Sequence, residues 1–152
     1  MWRCMTGAVT VGVLLASALW SGTCGAEPTA KEIAAMQGTW TIESFTLNGQ
    51  SVPAGQLQNW RRIVTGGHVT WKNGDELLVE MDITFDPQQK PMTLDSTIAT
   101  GDAKGKVVLA IYELDGDTLR VCFADPDKPR PTEFSSAPGS GPSLYVAKRV
   151  KE

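Results

Sequence analysis

Short alternating segments separated by two-residue turns constrain the fold of this chain more than any other feature. Apolar residues recur at every second position in residues 39–47, 77–85 and 118–124, the period of a half-buried β-strand. The alternation in 39–47 breaks once near Ser44, which indicates a β-bulge. Tight-turn dipeptides follow or join these segments: Asn48-Gly49, Gly66-Gly67, Asn73-Gly74 and Asp115-Gly116. The sequence therefore predicts an all-β domain built from consecutive hairpins.

Eight strands are predicted, and one short helix precedes them. Thr29 and Glu32 match a capping box, and Gly38 ends the helical pattern. Eight strands with one apolar face fit either a closed up-and-down barrel or a sandwich. Successive hairpins favour an eight-stranded antiparallel up-and-down barrel, because Greek-key sandwiches need long crossing connections. The predicted strands are residues 39–47, 61–65, 68–72, 77–85, 92–98, 107–114, 118–124 and 144–149.

The strand patterns also predict which side chains are buried. Residues 107–114 are almost wholly apolar, as in a strand covered on both faces. Cys122 alternates with apolar neighbours, so we expect a packed side chain and not a reactive thiol. The interior positions are apolar, and too few are polar to argue for a polar ligand. In residues 77–85 the alternation predicts that five side chains face the interior: Leu77, Val79, Met81, Ile83 and Phe85.

The first 26 residues differ from the rest of the chain. Arg3 is the only charge before Glu27, residues 5–20 are apolar, and small residues lead to Ala26. This order is typical of a secretory signal peptide cleaved after Ala26. A retained anchor is the alternative, but the run is shorter than the ~20 apolar residues of a spanning helix. Cys24 leaves lipid anchoring as a minor alternative. We expect residues 1–26 to be a signal and residues 27–152 to form an exported domain, periplasmic or extracellular.

Charge and composition argue against several functions. The chain has 14 basic and 17 acidic residues, so nothing electrostatic favours nucleic acid or anionic lipid. His68 is the only histidine and lies at a turn, and Cys122 is the only cysteine after residue 26, so a usual zinc site cannot be assembled. Ser140 lacks the spacing of a nucleophile elbow. We expect no enzymatic activity, cofactor or metal.

The connection 125–142 is much longer than the others and is the first place to look for function. It contains no histidine or cysteine, and its serines have no evident base. One interpretation is structural: Phe134 packs on the barrel while Glu133 pairs with Arg130. The other makes the loop a lid over an open barrel end, with Arg130, Glu133 and Phe134 as ligand or partner contacts and Tyr112 nearby.

Three segments carry a family resemblance. Met36-Gln37-Gly38-Thr39-Trp40 opens the first strand, residues 111–119 form a hairpin, and Arg130-Pro131-Thr132-Glu133-Phe134 lies in the long loop. Together they resemble an uncharacterised lipocalin-like domain family abundant in exported proteins of planctomycete bacteria, over about residues 33–149. The resemblance implies a lipocalin-like barrel and brings no established activity, substrate or catalytic residue.

The resemblance also suggests how one barrel end is closed. In lipocalins a Trp at the start of the first strand closes one end, beneath a basic side chain from the last strand. Gly38 and Trp40 match the first part of this pattern. Arg149, or Lys148, supplies the second part as a cation–π contact.

We expect a monomer that binds a small, mostly apolar molecule in the barrel interior. The alternative is a cell-envelope interaction or structural module with no small ligand, whose loop or outer face contacts another macromolecule. The fold alone does not distinguish these two functions, because barrels of one kind serve many functions. An open interior cavity favours the first function, and a filled interior favours the second.

Overall fold

A computed structural model describes residues 27–151, so the predicted signal segment 1–26 lies outside the described residues. The described residues form a closed antiparallel barrel of eight strands, which confirms the predicted fold class. Among them, no helix has the length and apolar character needed to cross a membrane.

The described chain contains two short helices and nine strands, one of which is only a two-residue extension. That extension, β2, pairs with the end of β1. The other strands follow the order β1-β3-β4-β5-β6-β7-β8-β9, and β9 pairs back to β1 to close the barrel. The elements are α1 (Ala30–Met36), β1 (Gly38–Leu47), β2 (Gln50–Ser51), α2 (Ala54–Leu57), β3 (Trp60–Thr65), β4 (His68–Asn73), β5 (Glu76–Asp86), β6 (Met92–Ile98), β7 (Val107–Asp115), β8 (Thr118–Phe123) and β9 (Ser143–Arg149).

Antiparallel strands place alternate connections at the same end of the barrel. One end, called here the closed end, carries α1 and the turns at residues 66–67, 87–91 and 116–117. The other, called the open end, carries the connections 48–59, 74–75, 99–106 and 124–142. The long loop 125–142 therefore starts and finishes at the open end.

Helix α1 begins as its sequence predicts. Thr29 N donates to Glu32 Oε2 at 2.7 Å, and Glu32 N donates to Thr29 Oγ1 at 3.3 Å, which is the predicted capping box. Met36 at the end of the helix is 1% exposed and packs into the core. Gly38 then turns the chain into β1 with a φ of +106°, a backbone conformation that residues with a Cβ rarely adopt.

Two β-bulges set which side chains face inward. The bulge predicted in β1 is present between Ile42 and Ser44. A second one lies between β4 and β5, where Trp71 pairs with Val79 but Lys72 pairs with Leu77.

The second bulge corrects one sequence-based assignment. The extra residue, Leu78, lines the interior next to Val79. Leu77 lies beside Lys72 and is 48% exposed, so its predicted inward position is wrong. The reason is that one inserted residue reverses the alternation for every residue before it.

Strand β7 is covered on both faces, as its apolar sequence predicts. Three consecutive residues, Ala110, Ile111 and Tyr112, are each no more than 2% exposed. Ala110 and Tyr112 belong to the interior core, whereas Ile111 alternates with them and lies on the outer face. Cys122 is its direct neighbour on β8 and is fully buried, which confirms the prediction of a packed side chain.

Candidate functional site

The loop 125–142 packs against the outer wall of the barrel. Cys122 Sγ donates to Ser135 O at 3.4 Å, and Arg120 lies 4.8 Å from the centre of the Phe134 ring. Arg130 Nη1 donates to Ala110 O at 2.7 Å, and its Nη2 lies 2.6 Å from Asp95 Oδ1. These contacts fix the first part of the loop across β6, β7 and β8.

The second part of the loop is tied to the turn after β1. Gly49 N donates to Ser136 Oγ at 3.0 Å, and Gly141 N donates to Asn48 Oδ1 at 3.3 Å. We call residues 125–142 the strap, because they run from β6 to the end of β1. Among the described residues, the strap contributes none to the interior cavity described below. It therefore lies beside the barrel interior and does not cover it as a lid.

The four residues expected to contact a ligand or partner do not form one site. Arg130 pairs with Asp95, Phe134 lies under Arg120, and Glu133 is exposed on the strap. Tyr112 is 2% exposed and faces the interior toward the closed end, where its ring meets Phe85 edge-on at 6.2 Å. Burial, with smaller effects from Glu32 and Asp86, raises the pKa of Tyr112 to about 12.

Trp40 and Arg149 meet at the closed end. The Arg149 guanidinium lies 4.3 Å from the centre of the Trp40 ring, and Trp40 is fully buried. Arg149 also donates to Gln37 O, to Ala35 O, and through Nε to Asp117 Oδ1 at 3.2 Å. A cation thus binds the carbonyl groups at the C-terminal end of α1, where the helix dipole favours positive charge. This arrangement stabilises the closed end.

A cavity of about 240 Å³ occupies the barrel interior. Its walls are predominantly apolar and aromatic, and they come from β1, β3, β4, β5, β6, β7, β8 and β9. The lining residues are Phe45, Trp60, Arg62, Val69, Trp71, Leu78, Val79, Met81, Ile83, Leu94, Ser96, Val108, Ala110, Val121, Phe123 and Tyr145.

A cluster of aromatic side chains forms one wall of the cavity. Phe45 lies at its centre, stacked on Tyr145 at 5.6 Å and edge-on to Trp60 at 5.5 Å. Trp71 and Phe123 complete the cluster, at 6.2 and 5.9 Å from Phe45. Offset and edge-on geometries of this kind hold rings firmly, so the wall is preformed.

Arg62 is the one charged residue among those that line the cavity. It lies on β3, between Trp40 of β1 and Trp71 of β4, and is 1% exposed. Its Nε and Nη1 have no hydrogen-bond partner, and within residues 27–151 no carboxylate forms a salt bridge with it. Burial raises the pKa of the Tyr145 hydroxyl, and the nearby Arg62 guanidinium opposes that rise. The cavity therefore contains an uncompensated cation beside a phenol.

Sequence reasoning missed Arg62. Arg61 and Arg62 together resemble a solvated pair, and Ile63 and Val64 are both apolar, so alternation alone does not say which arginine faces inward. In the barrel, Arg62 shares its face with Val64, which is 2% exposed. Arg61 lies on the opposite face, where its Nη1 donates to the carbonyl groups of Gln58 and Trp60.

The open end has an apolar rim. β5 begins at Glu76, but its pairing with β6 begins only at Met81 opposite Ile98. Four large apolar residues at strand ends here are at least 36% exposed: Leu47, Leu77, Leu78 and Val107. An apolar molecule entering from this end would meet apolar side chains before it reaches the cavity.

Two other features are weaker candidates. A larger depression of about 510 Å³ lies at the closed end and is lined by three carboxylates, Glu27, Asp86 and Asp95, of which Asp95 is already paired with Arg130. His68 lies on the outer face with its Nδ1 2.9 Å from Asp82 and its Nε2 3.7 Å from Glu80. Across residues 27–151, no group of three or more His, Cys, Asp or Glu side chains is placed to hold a metal ion. The interior cavity is therefore the candidate site.

Comparison of the chain with protein-family models, with curated proteins and with solved structures found no match.

Proposed function

We propose that this protein binds a small, mostly apolar molecule inside its barrel, and that it acts as a binding protein and not as an enzyme. The observation that carries the proposal is the interior cavity of about 240 Å³ with apolar and aromatic walls. Ligand sites are typically concave, mainly apolar and largely preformed, with a few polar groups that fix orientation. The cavity meets each of these criteria.

The cavity volume limits the size of the ligand. Pockets for drug-sized molecules typically measure ~300–1,000 Å³, so this site suits a smaller compound. In the liquid, one water molecule occupies about 30 Å³, so the cavity volume equals that of roughly eight water molecules. A ligand of about ten non-hydrogen atoms fits a volume of this size. Transfer of such a ligand from water onto apolar walls supplies the binding free energy.

The cavity also weighs against a purely structural role. An envelope module without a ligand has no need for interior space, and its core would be filled like that of other proteins. The N-terminal pattern of residues 1–26 and the resemblance to exported planctomycete proteins are consistent with a binding protein that works outside the cytoplasm. In this proposal the protein is a lipocalin-like carrier or sensor of a small molecule.

Native mass spectrometry of protein purified from its native host tests the proposal directly. We expect a retained molecule of small mass. Calorimetry with 1-octanol and octanoate as probes gives a second measurement, and fluorescence can follow it because Trp60 and Trp71 line the cavity.

A matched pair of variants locates the binding site. Ala110→Phe places a ring in the cavity and should abolish probe binding while the barrel stays folded. Thr97→Phe adds the same ring at an exposed position of β6 and should leave binding unchanged. A protein that retains no molecule and binds neither probe would contradict the proposal.

A further inference from the structure

We infer that the ligand is an amphipathic acid, with a carboxylate that binds Arg62 and an apolar tail that fills the rest of the cavity. This inference rests on the proposed function, because it names the chemical class of molecule that the same cavity accepts.

Arg62 needs an anionic partner. A guanidinium group carries five N–H donors and stays protonated in proteins. Charged groups are almost never fully buried without a partner, because removal of a charge from water is costly. Arg62 is 1% exposed, and two of its nitrogens have no acceptor in the described structure. A carboxylate in the cavity would supply both the countercharge and the acceptors, with the planar geometry that guanidinium groups match best.

The position of Arg62 orients the ligand. Arg62 pairs across the sheet with Trp40, which closes one end of the barrel, so the cation lies at the inner end of the cavity. Phe45, Trp60 and Phe123 lie on the side of the open end, close to where β1, β3 and β8 meet the loops there. A bound acid would therefore place its head against Arg62 and its tail between the aromatic rings.

The Tyr145 hydroxyl beside Arg62 suits the same head group. Tyr145 and Ser96 are the other polar side chains of the lining, and both are at most 7% exposed. Because burial raises the pKa of Tyr145, its phenol stays protonated at neutral pH and is able to donate a hydrogen bond. An anion at Arg62 would have a second donor within the same site.

The positive charge in the cavity argues against a cationic ligand, which is the main alternative to an acid. Aromatic clusters bind quaternary ammonium groups through their ring faces. Here a fixed cation shares the cavity with the rings, and no Asp or Glu is among the residues that line it. A cationic ligand would meet an uncompensated positive charge, so the cavity should reject it.

Three probes of equal length and different charge test the inference. Octanoate has about ten non-hydrogen atoms, the size that the cavity volume allows by the water-volume comparison. It is compared with 1-octanol and with octylamine, which is protonated at pH 7, by calorimetry on the full chain freed of bound molecules. We expect octanoate to bind about tenfold or more tightly than 1-octanol, because hydrogen bonds between charged groups are the strongest available. Octylamine should bind more weakly than either.

Two arginine variants on the same strand separate the site from general charge effects. Arg62→Met should reduce octanoate affinity by about tenfold or more and leave 1-octanol affinity unchanged or higher. Arg61→Met removes the same charge from the outer face and should change neither affinity. Arg62→Lys keeps the charge without the planar fork and should retain part of the preference for octanoate.

The outcomes separate this inference from the proposed function. Equal binding of octanoate and 1-octanol to the wild-type protein would overturn the inference and leave the proposed function standing. Tighter binding of octylamine, or an unchanged preference in Arg62→Met, would also overturn the inference alone. Failure of all three probes to bind would overturn the inference, and it would overturn the proposed function as well if the protein also retains no molecule from its native host. The comparison of the three probes on the wild-type protein tests the inference even if Arg62→Met does not fold.

Discussion

Arg62 and Arg149 flank the same tryptophan, yet their surroundings are opposite. Both pair with Trp40 across β1, Arg62 from β3 and Arg149 from β9. Arg149 lies over the Trp40 ring and donates to two backbone carbonyls and to Asp117. Arg62 is more deeply buried, and two of its nitrogens have no partner in the described structure.

The two arginines have opposite effects on the stability of the folded state. A cation with several partners at the closed end joins α1, β1 and β9 and lowers the free energy of the folded state. A buried cation with two unpaired nitrogens and no countercharge raises it, and such a group usually needs an explanation such as a ligand. The barrel thus has one end that stabilises the fold and an interior that fits the proposed binding function. Four measurements test this contrast, in order of decreasing effect.

Trp40→Ala truncates the residue that pairs with both arginines across the sheet, and it should have the largest effect on stability. Trp40 is fully buried, and truncation of a large aromatic residue in a core costs roughly 3–5 kcal/mol. Urea unfolding followed by circular dichroism measures the loss. An unchanged free energy of unfolding would show that the closed end does not depend on this ring.

Arg149→Met should lower the free energy of unfolding by about 1–3 kcal/mol, from loss of the cation–π contact and of the bonds to the end of α1. Lys151→Met is the matched control, because Lys151 also pairs with Asp117 but is largely exposed. The control should change stability by less than about 1 kcal/mol. Equal effects of the two variants would mean that Arg149 acts only through Asp117.

Arg62→Met should act in the opposite direction and stabilise the ligand-free protein by about 1–2 kcal/mol. The physical reason is that an apolar side chain of similar length replaces a buried charge that lacks a partner. Urea unfolding of protein refolded without ligand measures it, with Arg61→Met as the control on the outer face. A destabilisation as large as that of Arg149→Met would remove the contrast between the two arginines.

His68 forms an exposed charge pair, so its effect on stability should be the smallest of the four. Its hydrogen bond to Asp82, aided by Glu80, raises its pKa above the usual 6.5. The resulting stabilisation is present below the unfolded pKa and is lost as pH rises through the higher folded pKa. We expect a loss of about 0.2–1 kcal/mol between pH 6 and 8, because the pair is exposed. His68→Gln should remove this pH dependence, and an equally steep profile in that variant would assign it to another group.

Much of the fold could be predicted from the sequence, because hairpin signals and alternation act locally. The eight strands, the capping box and the bulge near Ser44 are all determined by residues close in sequence. The bulge at Leu78 escaped prediction because residues 77–79 are all apolar, so no polar residue marks the reversal. Local alternation therefore predicts where strands lie better than it predicts which face of an apolar strand is buried.

The candidate site was much harder to predict. Its aromatic wall joins β1, β3, β4, β8 and β9, which come together only when the barrel closes. Alternation does not show whether Arg61 or Arg62 faces inward, since the adjacent residues Ile63 and Val64 fit either face. The long loop attracted attention by its length and polar residues, but these mainly bind the outer wall.

The pairing of β1 with β9 has a consequence for how the chain folds. Thr41 Oγ1 donates to Lys148 O across 107 positions of sequence, so the barrel closes through its most distant contacts. Such contacts form slowly, because the entropy of a long loop is lost before they stabilise the chain. During synthesis, β1 leaves the ribosome long before β9 and presents an unpaired edge that favours association with other chains. A chain of this design benefits from being held unfolded until its last strand is available.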